Sequence, residues 1–457
     1  MKKLWAILFL FAVMTALGTT EAVAVLQVID VDLGGTPEHA LGRYRYRDDL
    51  PFSPIATLAI HRTSDYRNHA STTNLANRGF ATFGIRTRFG SSDAAVNFEQ
   101  IALDIRNGIR FLKSKGHTKI ILIGHSGGGP STSYYQALLE NGVSYCQGKN
   151  KLTQCPFTGA EFTPADKADG IVFVDAHPGV GVNQLRSQNA SINNNDKPFG
   201  PAFNKTLDPF DPAHGYNGLD PVHEPDGDST YSPKFVDKYA QGQSGRMNTE
   251  INEAQLIVKK IALGLIETAD PNDLTKHPFP LYRANARMVQ LSTQVQCCTE
   301  HPTRLLKDNG TLTAPQIVHT VRVPEPGIKD DDEDPNTFEN LSITSFLSAN
   351  AIQSKNSLDE SKIDWCSTNN STPCAVAQIH VPTLVMSMQG HYFIRDGEYI
   401  YESAVAADKE FLVVEGATHG LGNCTACASY HNTGPYNNVS LNLWNYVAAW
   451  INKPGRF

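Results

Sequence analysis

Gly124-His125-Ser126-Gly127-Gly128 follows the apolar run Ile120 to Ile123 and precedes a helix-like stretch. No other feature constrains the fold as much. A serine flanked at both sides by glycines reads as a nucleophile on a sharp strand-to-helix turn, where a Cβ at either outer glycine would collide with the neighbouring strand or helix. The glycines alone are a weak signal; the strand before and the helix after give the pattern its meaning.

The chain around this turn alternates strand and helix patterns. Val25 to Asp32, Ile55 to Ile60, Phe80 to Ile85, Ile120 to Ile123 and Gly170 to Val174 read as strands. Asp65 to Arg78 and the stripe Phe98, Ile101, Ile105, Ile109 and Leu112 read as helix, as does Ser131 to Glu140. The pattern resumes at Val381 to Met386, with a helix near Tyr399 to Ala407, a strand over Phe411 to Val414 and a closing helix carrying Leu443, Trp444, Val447 and Ile451. Strands separated by helices predict an α/β protein with a mostly parallel, doubly wound sheet, whose ligands meet the carboxyl ends of the strands. Ser126 stands at such an end. So does His419, in Glu415-Gly416-Ala417-Thr418-His419, after the last strand.

The N-terminal segment, with Lys2-Lys3, an apolar run from Leu4 to Leu17 and Ala22-Val23-Ala24, reads as a signal peptide over residues 1–24, which predicts a secreted or periplasmic protein. It is too short for a stable membrane insertion. The eight cysteines fall in local pairs, Cys146/Cys155, Cys297/Cys298, Cys366/Cys374 and Cys424/Cys427, so disulfides are expected, local closure being the favoured reading for the first and third. A net charge of −7 without a basic patch argues against a nucleic-acid partner. The acidic run Asp330 to Asp334 lacks the alternation and central glycine of a calcium loop and reads as solvated chain.

On the early Ile60-His61, the turn around Ser126, Val381-Pro382-Thr383-Leu384-Val385 and Glu415 to His419, the chain resembles the α/β-hydrolase superfamily, most of all its secreted serine esterases and lipases with a large cap insertion. The resemblance implies residues 25–177 and 379–457 as the core and residues 178–378 as a cap. It implies hydrolysis of a small-molecule or lipid-like ester without a cofactor or metal. Ser126 would be the nucleophile and His419 the general base, with an oxyanion hole from the backbone N–H groups of Gly127 and Arg62. An acyltransferase on the same serine scaffold is the alternative, and a non-catalytic binding protein ranks below both.

Two departures stand out. Arginine occupies position 62, where many relatives carry glycine; its guanidinium either binds an acidic substrate group or folds back onto a local carboxylate, and the second is the simpler expectation. The acid of the triad is open as well. His391 falls where the carboxylate usually follows its strand. Asp175, at the end of the preceding strand, is the chosen acid, with Asp396 and Glu398 as alternatives. Within the insertion, Ile251, Ala254, Val258, Ile261 and Leu265 form a helical stripe expected to be buried.

Overall fold

The computed structural model describes residues 26–90, 92–193, 203–217, 228–266, 278–282, 288–324 and 338–457. The signal-peptide segment 1–24 and the acidic run at 330–334 lie outside the described residues.

Strands β1 (Leu26–Gly34), β2 (Ala40–Arg47), β3 (Ile55–His61), β4 (Ala81–Arg86), β5 (Lys119–Ser126), β6 (Gly170–Ala176), β7 (Arg304–Leu306), β8 (Thr383–Met388) and β9 (Lys409–Val414) form one sheet in the order β1-β2-β4-β3-β5-β6-β8-β9-β7. The first hairpin and its junction with β4 are antiparallel, and every other neighbour pair is parallel. Alternation along the central strands explains why both faces are covered. Ile120, Leu122, Ile171 and Phe173 join one buried cluster with Ile101, Ile105, Ile109 and Tyr134. Ile121, Ile123, Val172 and Val174 join another with Leu443, Trp444 and Val447. A strand buried on both faces must be apolar throughout, which is why β5 reads as a continuous run. The α/β class with a mostly parallel, doubly wound sheet is thus the observed one.

Several elements differ from the sequence expectation, among them the edge strand β7, which was not expected, and the helix expected near Tyr399 to Ala407, which spans Ile394–Ser403. The β2 strand, Ala-Leu-Gly-Arg-Tyr-Arg-Tyr-Arg, was not expected, although it alternates; Arg45 is buried there because its guanidinium donates to the Arg67 carbonyl and to Thr72 and Asn68 side chains. The predicted Asp65–Arg78 helix starts only at Ala70, because the Asp65 carboxylate accepts the Arg67 N–H and closes a separate tight turn over Tyr66–Asn68. The stripe in the insertion belongs to a 30-residue helix, Pro233–Ala262, begun by the Ser232 hydroxyl capping the Phe235 N–H. Ile251 and Ala254 are buried, but Val258 and Leu265 are exposed; burial runs instead through Phe235, Tyr239, Met247, Ile251 and Ala254.

Residues 178–378 do not all stand apart from the sheet. β7 pairs with β9 at its edge. The remaining described part builds its own apolar cluster from Val182, Leu185, Met247, Ile251, Phe279, Leu341 and Phe346, with an antiparallel ribbon of Pro278–Tyr282 and Phe338–Ser342. Four disulfides close locally: Cys146–Cys155, Cys297–Cys298, Cys366–Cys374 and Cys424–Cys427. The second and fourth go beyond the pairing expected from sequence. No helix among the described residues is long and apolar enough to cross a membrane.

Candidate active site

Ser126 ends β5 at φ 55°, in the left-handed region that a non-glycine residue rarely adopts, and the helix Gly128–Asn141 begins two residues later. The glycines permit this close crossing. A Cβ on Gly128 would lie 2.2 Å from the Ile60 carbonyl oxygen, and one on Gly124 would lie 2.6 Å from Thr132 Oγ1 and 3.0 Å from Gly129 Cα. The serine is therefore held above the sheet with its side chain at the carboxyl end of β5.

His419 lies in the loop after β9. Cys424 N–H donates to the Gly416 carbonyl at 2.8 Å, Thr418 N–H donates to the Gly422 carbonyl at 2.9 Å, and the Cys424–Cys427 disulfide closes the base of the loop. His125, the neighbour of Ser126 in sequence, bonds the His419 carbonyl through Nε2 at 2.8 Å. A carbonyl only accepts, so His125 carries its proton on Nε2 and offers Nδ1 to the Tyr66 hydroxyl, 3.0 Å away. Burial first, then the neighbouring histidines His419 and His69, holds the His125 pKa well below the usual histidine range.

This bracing brings His419 Nε2 to 3.0 Å from Ser126 Oγ and His419 Nδ1 to 2.6 Å from Asp175 Oδ2. Asp175 ends β6 at φ 45° and is buried. Its Oδ1 accepts the Met388 N–H at 3.1 Å, and its Oδ2 lies 2.7 Å from His391 Nδ1 as well. Complete burial alone would raise its pKa, but the imidazoles of His391 and then His419 hold the carboxyl well below the ordinary range. The residue found at the family's usual carboxylate position is thus a second partner of the same aspartate.

The alternative carboxylates are engaged elsewhere. Both lie in the helix Ile394–Ser403, begun after Phe393. Asp396 accepts from Arg186 Nη1 at 2.9 Å on each oxygen. Glu398 accepts the N–H groups of Glu300 and His301, each at 2.7 Å, and Arg395 Nη1 at 2.7 Å. The Arg62 side chain pairs with Asp93, one guanidinium nitrogen lying 3.1 Å from Asp93 Oδ2. Its backbone follows directly on β3, and the Arg62 carbonyl accepts the Thr87 hydroxyl at 2.7 Å. Gly127 follows the serine directly, and a Cβ on it would lie 2.6 Å from His61 Nε2. His61 Nδ1 accepts the N–H groups of Thr63 and Ser64, so its proton resides on Nε2.

One neighbour of the serine was missed in the sequence. His177 Nε2 lies 3.1 Å from Ser126 Oγ, and its Nδ1 lies 3.0 Å from Asn183 Nδ2. The signal was its place two residues after Asp175, since a strand end that turns sharply brings alternate residues to one site.

Among the described residues, three groups of side chains have the ligand types of a metal site. In the first, Asp175, His391 and His419 already meet at hydrogen-bond distance through one carboxylate oxygen. In the second, Cys297 and Cys298 are joined as a disulfide beside His319 and supply no thiolate. The third, His301 with Glu398 and Glu402, is threaded by the Arg395 guanidinium, which bonds both glutamates.

A mostly parallel sheet wound on both faces, with a strained serine after its fifth strand and a histidine loop after its penultimate parallel strand, defines an α/β-hydrolase fold. No protein-family model matches the chain, and no curated protein matches it. Among solved structures it is similar to a hypothetical protein, PA2218, from Pseudomonas aeruginosa, at 12% identity and TM-score 0.39 over 93% of each chain. It is similar to a thermophilic esterase from Thermogutta terrifontis at 9% identity and TM-score 0.34, over 93% of this chain and 98% of that one. The esterase Est22 aligns at 18% identity and TM-score 0.25, over 33% of this chain and 44% of its own length.

Proposed function

We propose that the protein is a serine hydrolase that cleaves carboxylic esters through an acyl-enzyme on Ser126. The observation that carries this reading is the continuous path from Ser126 Oγ to His419 Nε2 at 3.0 Å and from His419 Nδ1 to Asp175 at 2.6 Å. The buried, ionised Asp175 only accepts, so it fixes the His419 proton on Nδ1 and leaves Nε2 bare to take the serine proton. As Oγ attacks an acyl carbon, its proton moves to Nε2 and the resulting imidazolium is stabilised by Asp175. The backbone N–H groups of Gly127 and Arg62 bear the oxyanion, and His419 returns the proton to the departing alcohol. Water then repeats the sequence on the acyl-enzyme.

In this reading the Arg62 guanidinium, paired with Asp93, steadies the oxyanion loop rather than reading an acidic substrate. The part of the insertion over 178–378 that stands apart from β7 and the sheet acts as the cap that selects the ester. Residues 1–24 direct export, in keeping with four disulfides.

The test is labelling of purified protein with a fluorescent active-site phosphonate, with peptide mapping, followed by p-nitrophenyl esters of graded chain length. Modification at Ser126 that disappears in Ser126→Ala, together with ester turnover that disappears with it, is the expected result. Labelling elsewhere, or undiminished turnover by Ser126→Ala, would overturn the assignment.

A further inference from the structure

Ser126 Oγ touches two imidazoles, and a hydroxyl has one hydrogen to give. Resting on the triad reading above, His419 Nε2 takes that hydrogen, because the Asp175 carboxylate keeps the His419 proton on Nδ1. The second imidazole, His177 Nε2 at 3.1 Å, must then bring a hydrogen of its own. Were it bare, two lone pairs would face each other at that distance. The far side of the ring agrees: Asn183 Nδ2 stands 3.0 Å from His177 Nδ1, and an amide nitrogen only donates, so Nδ1 accepts and the proton is left on Nε2. Hydrogens thus run in one direction from Asn183 through His177 and Ser126 to His419 and Asp175.

We infer that His177 is a further catalytic residue, a fixed N–H donor to Ser126 Oγ that acts mainly when Oγ is the leaving atom, in hydrolysis of the acyl-enzyme. In acylation, a donor on the attacking oxygen has two opposed effects: it holds one lone pair of the hydroxyl and stabilises the alkoxide that forms. In deacylation these effects no longer oppose. Water attacks the acyl carbon and gives its proton to His419 Nε2. The bond between the acyl carbon and Oγ breaks, the electron pair goes to Oγ, and the His419 proton follows it there. Through this step the His177 N–H bears the charge growing on Oγ and keeps its own proton, as any fixed donor aimed at a developing oxyanion does.

The ring is held for such a role. The His177 backbone N–H donates to the Ser126 carbonyl at 2.9 Å, the His177 carbonyl accepts the Thr372 hydroxyl at 2.7 Å, and Phe393 meets the ring edge-on with centroids 5.0 Å apart. Serine and second imidazole therefore move as one unit.

Stopped-flow release of p-nitrophenol from p-nitrophenyl acetate separates the two steps. In His177→Leu, acylation is expected to stay within about threefold of wild type while deacylation falls roughly 10- to 100-fold, so that a burst of about one product per site precedes a slow steady state. His177→Gln keeps an amide N–H at similar reach and is expected to recover about tenfold of that loss, which a purely structural role for the ring would not produce. An equal fall in both steps, no fall in either, or no difference between the leucine and glutamine variants would overturn the inference. Ring-nitrogen NMR of the wild-type protein tests it without any variant: His177 must be the neutral Nε2–H tautomer, and a proton on Nδ1 refutes it even if both variants fail to fold. Failure of the triad reading has a different signature, since wild type would then show no acylation of Ser126 at all.

Discussion

Two carboxylates that the sequence offers as the acid partner of His419 do opposite work, and each makes its own prediction. Asp175 meets both His419 and His391 and is held ionised by them, whereas Asp396 is the partner of the buried Arg186. Asp175→Asn places an amide where the carboxylate must accept the His419 Nδ1 hydrogen, and the histidine loses its correct tautomer. Turnover of p-nitrophenyl esters by the folded protein should fall about 10⁴-fold, with a far-UV spectrum close to wild type. Asp396→Asn should do the reverse, leaving kcat of the folded enzyme within a few-fold of wild type while stranding the Arg186 charge. Removing one partner of a buried pair costs about 3–5 kcal/mol, so urea unfolding is where this variant should show. A loss of turnover confined to Asp396→Asn would reverse the two roles. At this scale the positions of Ser126, His419 and Asp175, whose side chains the fold brings within hydrogen-bond distance of one another, were legible in the sequence, since strand ends and a glycine-framed turn are local patterns. The contacts of His177 and His391 and the tautomer of His125 were not legible there, because they depend on which nitrogen faces which atom across the sheet.

Elements meet at the turn around Ser126, and the tolerance there is smaller than a methyl group. Gly128 begins its helix against the end of β3, where an added Cβ would stand 2.2 Å from the Ile60 carbonyl oxygen, well inside any real contact. Gly128→Ala must therefore push the helix away from β3, whose end leads into the Arg62 loop, the proposed oxyanion loop. We expect a loss of about 3 kcal/mol or more in urea unfolding and turnover reduced beyond detection, because the N–H of Gly127 moves with the helix. Stability and activity near wild type would mean that the crossing is looser than described. The same logic explains which elements could be read from sequence. β5 and β6 are buried on both faces, so apolar runs gave them away, and the closing helix Val439–Ile451 carries an apolar stripe. β2 escaped because its buried side chains include an arginine, Arg45, satisfied by partners remote in sequence, and β7 because three residues carry no period. In Pro233–Ala262 the apolar stripe continues past the point where the partner surface ends, so periodicity located the helix but misjudged how far its burial extends.

At the scale of the whole molecule, the histidines gathered beside the sheet make stability depend on pH. His61, His69 and His125 lie on or beside the strand ends, within one cluster around Tyr66. Burial lowers the pKa of each, of His69 to about 4 from an ordinary value of 6.5, and His61 and His125 are held well below that value. Below pH 6.5 the unfolded chain therefore binds protons that the folded chain refuses, and by linkage the stability present above that pH is lost as pH falls. For His69 alone the loss on going from neutral pH to pH 5 is about 2 kcal/mol, a sizeable part of the roughly 5–15 kcal/mol that holds a domain folded. His61 and His125 add to it in the same direction. Asp175, whose folded pKa is lowered, contributes in a separate window: its stabilisation is full above the unfolded carboxyl value near pH 4 and is lost only below it. Urea unfolding at pH 7.5, 6 and 5 should show a falling midpoint across the histidine window, and His69→Gln should flatten that fall by about 2 kcal/mol. Midpoints that do not change between pH 7.5 and 5, or a His69→Gln variant with the same slope as wild type, would mean that these imidazoles take up protons in the folded chain as readily as in water.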